Sequence, residues 1–215
     1  MPFYDPSTWE LSKCIFENAD ALQKEYQTAV YNKQVNEKPN DTTSFNNKLY
    51  IGHVDFFPIH MDTTLWSAKE RTIYNKTTQM AFDRNKNYCP VAKSIIEKFP
   101  AIRQWYWNSL EPGGEVTPHY GTNGRLYNKI PDHHRIQYCW EPGNNCKFYL
   151  DNEYLEYTNN LCFGFEDGMD LHWVKNNGNE WRTVLILDLW RGQCPTVDWT
   201  AGHTQSVSYV KESTY

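Results

Sequence analysis

Residues 161–190 read LCFGFEDGMDLHWVKNNGNEWRTVLILDLW, and this stretch decides the fold. It holds three short runs rich in aromatic and β-branched residues, Leu161–Phe165, Leu171–Val174 and Thr183–Trp190, with Asp-Gly at 167–168 punctuating the first two. Such runs, bounded by residues that tolerate tight reversals, are strand and turn signals. The same pattern extends upstream through Gln104–Leu110, Glu115–His119, Arg135–Trp140 and Lys147–Leu150. Between these runs lie Glu-Pro-Gly-Gly at 111–114, Thr-Asn-Gly at 122–124 and Pro-Gly-Asn-Asn at 142–145. Many short strands at this spacing predict an antiparallel sandwich or barrel.

Before residue 100 the periodicity changes. Pro6, Ser7 and Thr8 offer a helix entry with a capping hydroxyl, and Leu11, Ile15, Ala19, Leu22, Tyr26 and Val30 follow at helical spacing. Asn32 to Asn47 is rich in Asn, Asp, Lys and Thr and reads as an exposed connection. A second helix is expected to open at Pro90, run through Val91, Ile95, Ile96 and Phe99, and stop before Pro100. The expectation is one domain over 1–215: a mainly helical part over 1–86, a β-rich core over 87–192 and a tail over 193–215.

The 215 residues carry 21 Lys+Arg against 26 Asp+Glu, a net charge of −5. That balance lacks the basic stripe of a nucleic-acid binder. No run approaches the roughly 18 apolar residues of a membrane span. The six cysteines, Cys14, Cys89, Cys139, Cys146, Cys162 and Cys194, form no CxxC pair, and the N-terminus shows no charged-then-apolar signal segment. A reducing, cytoplasmic location with thiols acting as small buried hydrophobes is the expectation.

Two of seven histidines, His119 and His172, fall at strand ends, with Arg182 ten residues beyond the second. In a barrel of two facing sheets, such positions meet in the interior. Imidazole suits iron, and the guanidinium fork suits a carboxylate. One histidine in an aromatic strand is ordinarily packing, so the joint pattern carries the signal. His133 and His134 read as an exposed loop, with a substrate-contacting lid as the alternative, and His53 and His60 as possible entrance residues.

Asn87-Tyr-Cys-Pro-Val-Ala through Lys98-Phe-Pro, and then Ser109-Leu-Glu-Pro-Gly-Gly-Glu-Val-Thr-Pro-His119-Tyr-Gly-Thr-Asn123, resemble the aspartyl/asparaginyl β-hydroxylase family. So does Phe165-Glu-Asp-Gly-Met-Asp-Leu-His172-Trp, followed by Trp181-Arg182-Thr-Val-Leu-Ile-Leu-Asp188-Leu-Trp190. The resemblance covers about 87–192. It implies a mainly β fold with flanking helices, a double-stranded β-helix (jelly roll, cupin-like), and an oxygenase dependent on Fe(II), 2-oxoglutarate and O2. By the same resemblance His119 and His172 match the iron ligands, while Arg182 and Ser109 match contacts to 2-oxoglutarate. Arg135 matches a further family arginine, with Arg125 a competing candidate because of an insertion around Tyr127–His134. Gln137 stands where the family has a histidine.

Two residues after His119, where a facial triad would place Asp or Glu, stands Gly121. Glycine cannot ligate, so water or another exogenous ligand is expected to complete the site. Asp170 is a less favoured substitute, and Asp188 and Trp190 read as barrel packing. The implied reaction is hydroxylation of an unactivated C–H bond on an Asp/Asn-like, other amino-acid, peptide, protein or small-molecule substrate. Alternatives are a catalytically silent jelly-roll binding module, or an iron halogenase using the open site beside Gly121.

Overall fold

In a computed structural model the described residues are 3–36, 50–52, 54–62, 83–121, 133–168, 170–190 and 210–211. Strands β1 (Tyr50–Ile51), β2 (Val54–Met61), β3 (Ile102–Leu110), β4 (Glu115–His119), β5 (His133–Glu141) and β6 (Cys146–Leu150) come first. They are followed by β7 (Glu153–Glu156), β8 (Cys162–Phe165), β9 (His172–Asn176), β10 (Arg182–Trp190) and β11 (Val210–Lys211). One sheet has the order β2-β3-β10-β5-β8 and the other β1-β4-β9-β6-β7-β11, with every recorded pair antiparallel. From β3 onward the chain passes repeatedly from one sheet to the other, which is the jelly-roll arrangement. All seven expected strands are present, with ends shifted by no more than two residues.

Four strands lie outside the expected set. β2 contains Pro58, which lacks an N–H and reads as a breaker, but at the sheet edge it is tolerated. β7 is four residues long, and β1 and β11 are two each, too short for periodicity to register. Thus both the part expected to be mainly helical and the C-terminal tail contribute strands.

Helix α1 (Glu10–Glu17) starts later than expected. The entry uses no side-chain cap, and the Asp5 carboxylate instead accepts from Ser7 N–H at 2.8 Å. The expected continuous helix breaks at Asn18, whose side-chain amide donates back to Cys14 O at 2.8 Å. Beyond it α2 (Ala19–Asn36) runs into the stretch expected to be a connection. Helix α3 (Pro90–Lys98) has Pro at its first turn as predicted. Its free N–H groups at Val91 and Ala92 donate to Glu25 on α2, which fastens the two helices together.

The helices cover the outer face of the five-stranded sheet, where Trp105, Trp107, Ile136, Tyr138, Leu185, Leu187 and Leu189 pack. Between the sheets lie Tyr106, Leu110, Cys139, Val184 and Ile186, facing Phe148, Leu150 and Val174. Cys89, Cys139, Cys146 and Cys162 are buried free thiols, and burial pushes the Cys89 thiol up to about 12. That is packing chemistry, as expected; Cys194 lies outside the described residues.

Candidate active site

His119 ends β4, His172 begins β9, and the two are register partners with ring centroids 4.3 Å apart. Each ring is held by the carbonyl two residues before it: His119 Nδ1 lies 2.7 Å from Thr117 O, and His172 Nδ1 lies 2.9 Å from Asp170 O. A carbonyl only accepts, so both Nδ1 atoms carry a proton, which leaves Nε2 of each ring as the atom that can ligate. Burial, and then the neighbouring His172, lower the His119 pKa to about 4, keeping its ring neutral at pH 7. Phe148 stacks on the His172 ring at 6.0 Å, and Phe165 meets it edge-on at 5.0 Å.

Sequence reasoning missed Asp167, which lies in the turn between β8 and β9. It is fully buried, and its Oδ1 receives Arg135 Nη1 and lies 3.2 Å from His172 Nε2. Gly121 N–H donates to Asp167 O at 2.7 Å, and a Cβ at position 121 would land on the Asp167 carboxylate. The space that a side chain at position 121 would take is therefore occupied by a carboxylate from another element. Burial works to raise the Asp167 pKa, but Arg135, His133 and His172 together hold it well below the ordinary range. Arg135 is itself gripped by Asp188, with Nε donating to Oδ1 at 2.7 Å and Nη2 to Oδ2 at 3.0 Å. Asp188 thus does more than pack: it fixes the arginine that fixes Asp167.

Among the described residues no group of three or more His, Cys, Asp or Glu side chains is placed to hold a metal ion. The contact between Asp167 and His172 shows why the donor set nevertheless suits one. With Nδ1 protonated, His172 turns Nε2 toward a carboxylate oxygen at 3.2 Å, a contact that calls for a cation between them, either a proton on the ring or a metal ion. Two imidazoles are donors that iron(II) accepts, and a carboxylate beside them supplies negative charge.

Arg182 begins β10 on the inner face and is 1% exposed. Its Nη2 donates to Asn108 at 2.8 Å, and the guanidinium lies over the Tyr157 ring at 5.3 Å. Its Nε has no hydrogen-bond partner, and among the described residues no acidic side chain pairs with it. A buried guanidinium without a counter-ion is costly and invites an anion. Beside it Tyr157 donates to Gln137 Oε1 at 2.7 Å.

Ser109 is not brought to this place. It bonds Tyr26 on α2 at 2.8 Å and Thr183 at 2.9 Å, on the helix-covered face. The register explains the correction: Leu110 pairs with Arg182 and Ser109 with Thr183, and adjacent strand residues face opposite sides. Asn108 is the β3 residue that reaches Arg182, and counting alternation along β3 finds it.

His133 and His134 are buried at the start of β5, not in an exposed loop. His133 faces Asp167 and Asp188, while His134 Nδ1 lies 3.0 Å from Glu166. Asp170 holds the His172 ring through its carbonyl; its carboxyl pKa rises to about 6 through burial and then Asp151. His60 lies on the edge strand β2, and Arg125, His53 and His203 fall outside the described residues.

The family model described as aspartyl/asparaginyl beta-hydroxylase matches residues 16–192. The chain belongs to this family. The match begins well before residue 87, so α2, α3 and β2 are part of the hydroxylase-family unit, where the sequence resemblance covered only the later part. Membership makes this chain an oxygenase-type enzyme, a hydroxylase. Among curated proteins none matches it.

The barrel of this hydroxylase-family chain is similar to solved cupin structures. One, described as a predicted oxalate decarboxylase from Thermotoga maritima, shares 16% identity over 44% of this chain and 71% of its own, with a TM-score of 0.34. A cupin 2 conserved barrel domain protein from Rhodopseudomonas palustris shares 11% over 41% and 52%, with a TM-score of 0.32. A sugar phosphate isomerase from a cupin superfamily, from Silicibacter pomeroyi, shares 17% over 40% and 49%, with a TM-score of 0.32. The chain thus spans about half the length of the latter two. No helix among the described residues is long and apolar enough to cross a membrane.

Proposed function

We propose that this hydroxylase-family chain is an iron(II)- and 2-oxoglutarate-dependent dioxygenase hydroxylating an unactivated C–H bond of an Asp/Asn-like, other amino-acid or peptide substrate. The observation that carries this reading is the histidine pair, two register partners whose Nδ1 atoms are each tied to a backbone carbonyl. His119 and His172 would hold iron through Nε2, with Asp167 supplying negative charge beside them. When bound, iron with 2-oxoglutarate and O2 supplies the oxidising chemistry, the co-substrate leaving as succinate and CO2.

The protein's work is orientation and exclusion of water. The carbonyls of Thr117 and Asp170 fix the ring tautomers, which keeps the donor lone pairs aimed. Phe148 and Phe165 shield His172. Arg182 takes the far carboxylate of 2-oxoglutarate, which supplies the counter-ion it lacks among the described residues, and Asn108 sets the guanidinium's orientation. Gln137, held by Tyr157, adds a neutral polar contact on the same side. The charge of Arg135 is already shared with Asp188 and Asp167, so its contribution is to hold Asp167 in place.

A halogenase needs room for a halide beside Gly121, and the Asp167 carboxylate stands there with its negative charge. A silent binding module has no use for a paired set of buried rings and a buried arginine that meets no acidic side chain among the described residues. The free buried thiols suit a reducing compartment such as the cytoplasm.

The test is anaerobic binding of Fe(II) and 2-oxoglutarate, followed by succinate assay on admitting oxygen. Iron-dependent succinate is expected from the wild type and its loss from His119→Ala and His172→Ala. Arg182→Ala is expected to raise the 2-oxoglutarate Kd by about tenfold or more. Undiminished turnover in either histidine variant would refute the metal assignment.

A further inference from the structure

We infer that His133, oriented by Arg103, is a positioning residue that draws Asp167 off His172 and thereby sets how tightly the site holds its metal. The inference rests on the iron-site reading above.

His133 is the first residue of β5 and is 2% exposed. Its Nδ1 lies 2.7 Å from Arg103 Nη1. A guanidinium has donors only, so His133 Nδ1 must accept, and the neutral ring carries its proton on Nε2. Arg103 is steadied in turn: its guanidinium lies over the Trp190 ring at 5.0 Å, and Trp190 Nε1 donates to Asp62 at 2.8 Å. This line of contacts runs from the end of β2 inward and settles which ring nitrogen of His133 is the donor.

That donor faces two carboxylates, with Asp167 Oδ2 and Asp188 Oδ2 each 3.8 Å from Nε2. The two oxygens of Asp167 differ. Oδ1 is occupied by Arg135 and by the contact with His172, whereas Oδ2 is buried and accepts no hydrogen bond from the described residues. A buried carboxylate oxygen without a donor is unfavourable. The His133 N–H lies about 0.6 Å beyond hydrogen-bond range of it.

The two arrangements of Asp167 compete. In one, Oδ1 leans on His172 Nε2, where a metal ion would otherwise sit. In the other, Oδ2 takes the His133 N–H, the carboxylate retreats from His172, and the Nε2 lone pair is freed. A donor at position 133 favours the second and so raises metal affinity. Without it, binding has to separate Asp167 from His172 unaided.

Cobalt(II) titration of the intact chain, followed by calorimetry and by the visible d–d absorption of the bound ion, tests this. His133→Leu removes the donor and is expected to weaken cobalt binding by about tenfold to a hundredfold and to shift the absorption. His133→Gln restores an N–H and is expected to bind within about threefold of the wild type. Arg103→Met leaves His133 in place but frees its tautomer; an intermediate loss is expected, and this variant decides the matter if His133→Leu does not fold. Wild-type affinity in both His133→Leu and Arg103→Met, or an equal loss in His133→Gln and His133→Leu, would overturn the inference alone. Failure of the wild-type protein to take up cobalt would overturn the iron-site reading and the inference with it.

Discussion

On β10, Leu185, Leu187 and Leu189 turn toward the helices, while Arg182 and Asp188 share the opposite face with Val184 and Ile186. β5 repeats the division: Ile136 and Tyr138 face outward, and His133, Arg135 and Gln137 inward. All nine residues of β10 are buried, so burial does not separate core from site. What separates them is the cost each face carries. The outer face removes apolar surface from water, which stabilises the fold; the inner face holds ionised groups whose desolvation is met only by pairing. The covered face supports the fold, and the inner face spends part of that stability on a charged interior.

The largest effect expected from breaking this division is on the outer face. Trp107 is 1% exposed and stacked between Tyr26 and Trp140, each at 4.7 Å. Trp107→Ala should lower unfolding free energy by about 3–5 kcal/mol in denaturant titration, while the folded fraction keeps its 2-oxoglutarate affinity. On the inner face Asn108→Ala removes the hydrogen bond to Arg182. It should weaken 2-oxoglutarate binding by about 1.5–3 kcal/mol, read by anaerobic calorimetry. One residue further along, Ser109→Ala should cost about 1 kcal/mol of stability and leave that affinity unchanged. A matching affinity loss in Ser109→Ala would break the two-face division.

The smallest effect belongs to the sheet edge. Burial, and then Lys86, lower the His60 pKa below its ordinary 6.5. The unfolded chain therefore binds a proton that the folded chain resists, so His60 costs stability as pH falls below about 6.5. His60→Gln should make the decline shallower on acidification, as followed by thermal unfolding across pH 7 to 5.

Much of this was legible in the residues. Turn punctuation located seven strands, and the spacing of His119, His172 and Arg182 marked three positions that the fold carries inward. The family resemblance points to Ser109, which is one residue out of the alternation that turns Asn108 inward. Asp167 stayed hidden because beside Gly168 it reads as a turn former; its role depends on a contact with Gly121 that only the closed barrel creates. His133 read as loop because the stretch before it lacks strand character, and β2 was masked by Pro58. Each miss concerns a residue whose meaning comes from across the barrel rather than from its neighbours in sequence.

The crowding of Asp167 against Gly121 also constrains how such a site can change over generations. Gly121→Asp alone drives a side chain into an occupied volume, and Asp167→Gly alone strips the site of its carboxylate. Only the pair of exchanges together rebuilds the His-x-Asp layout. The two positions are thus sterically coupled: a side chain at 121 can be accommodated only once position 167 has been emptied.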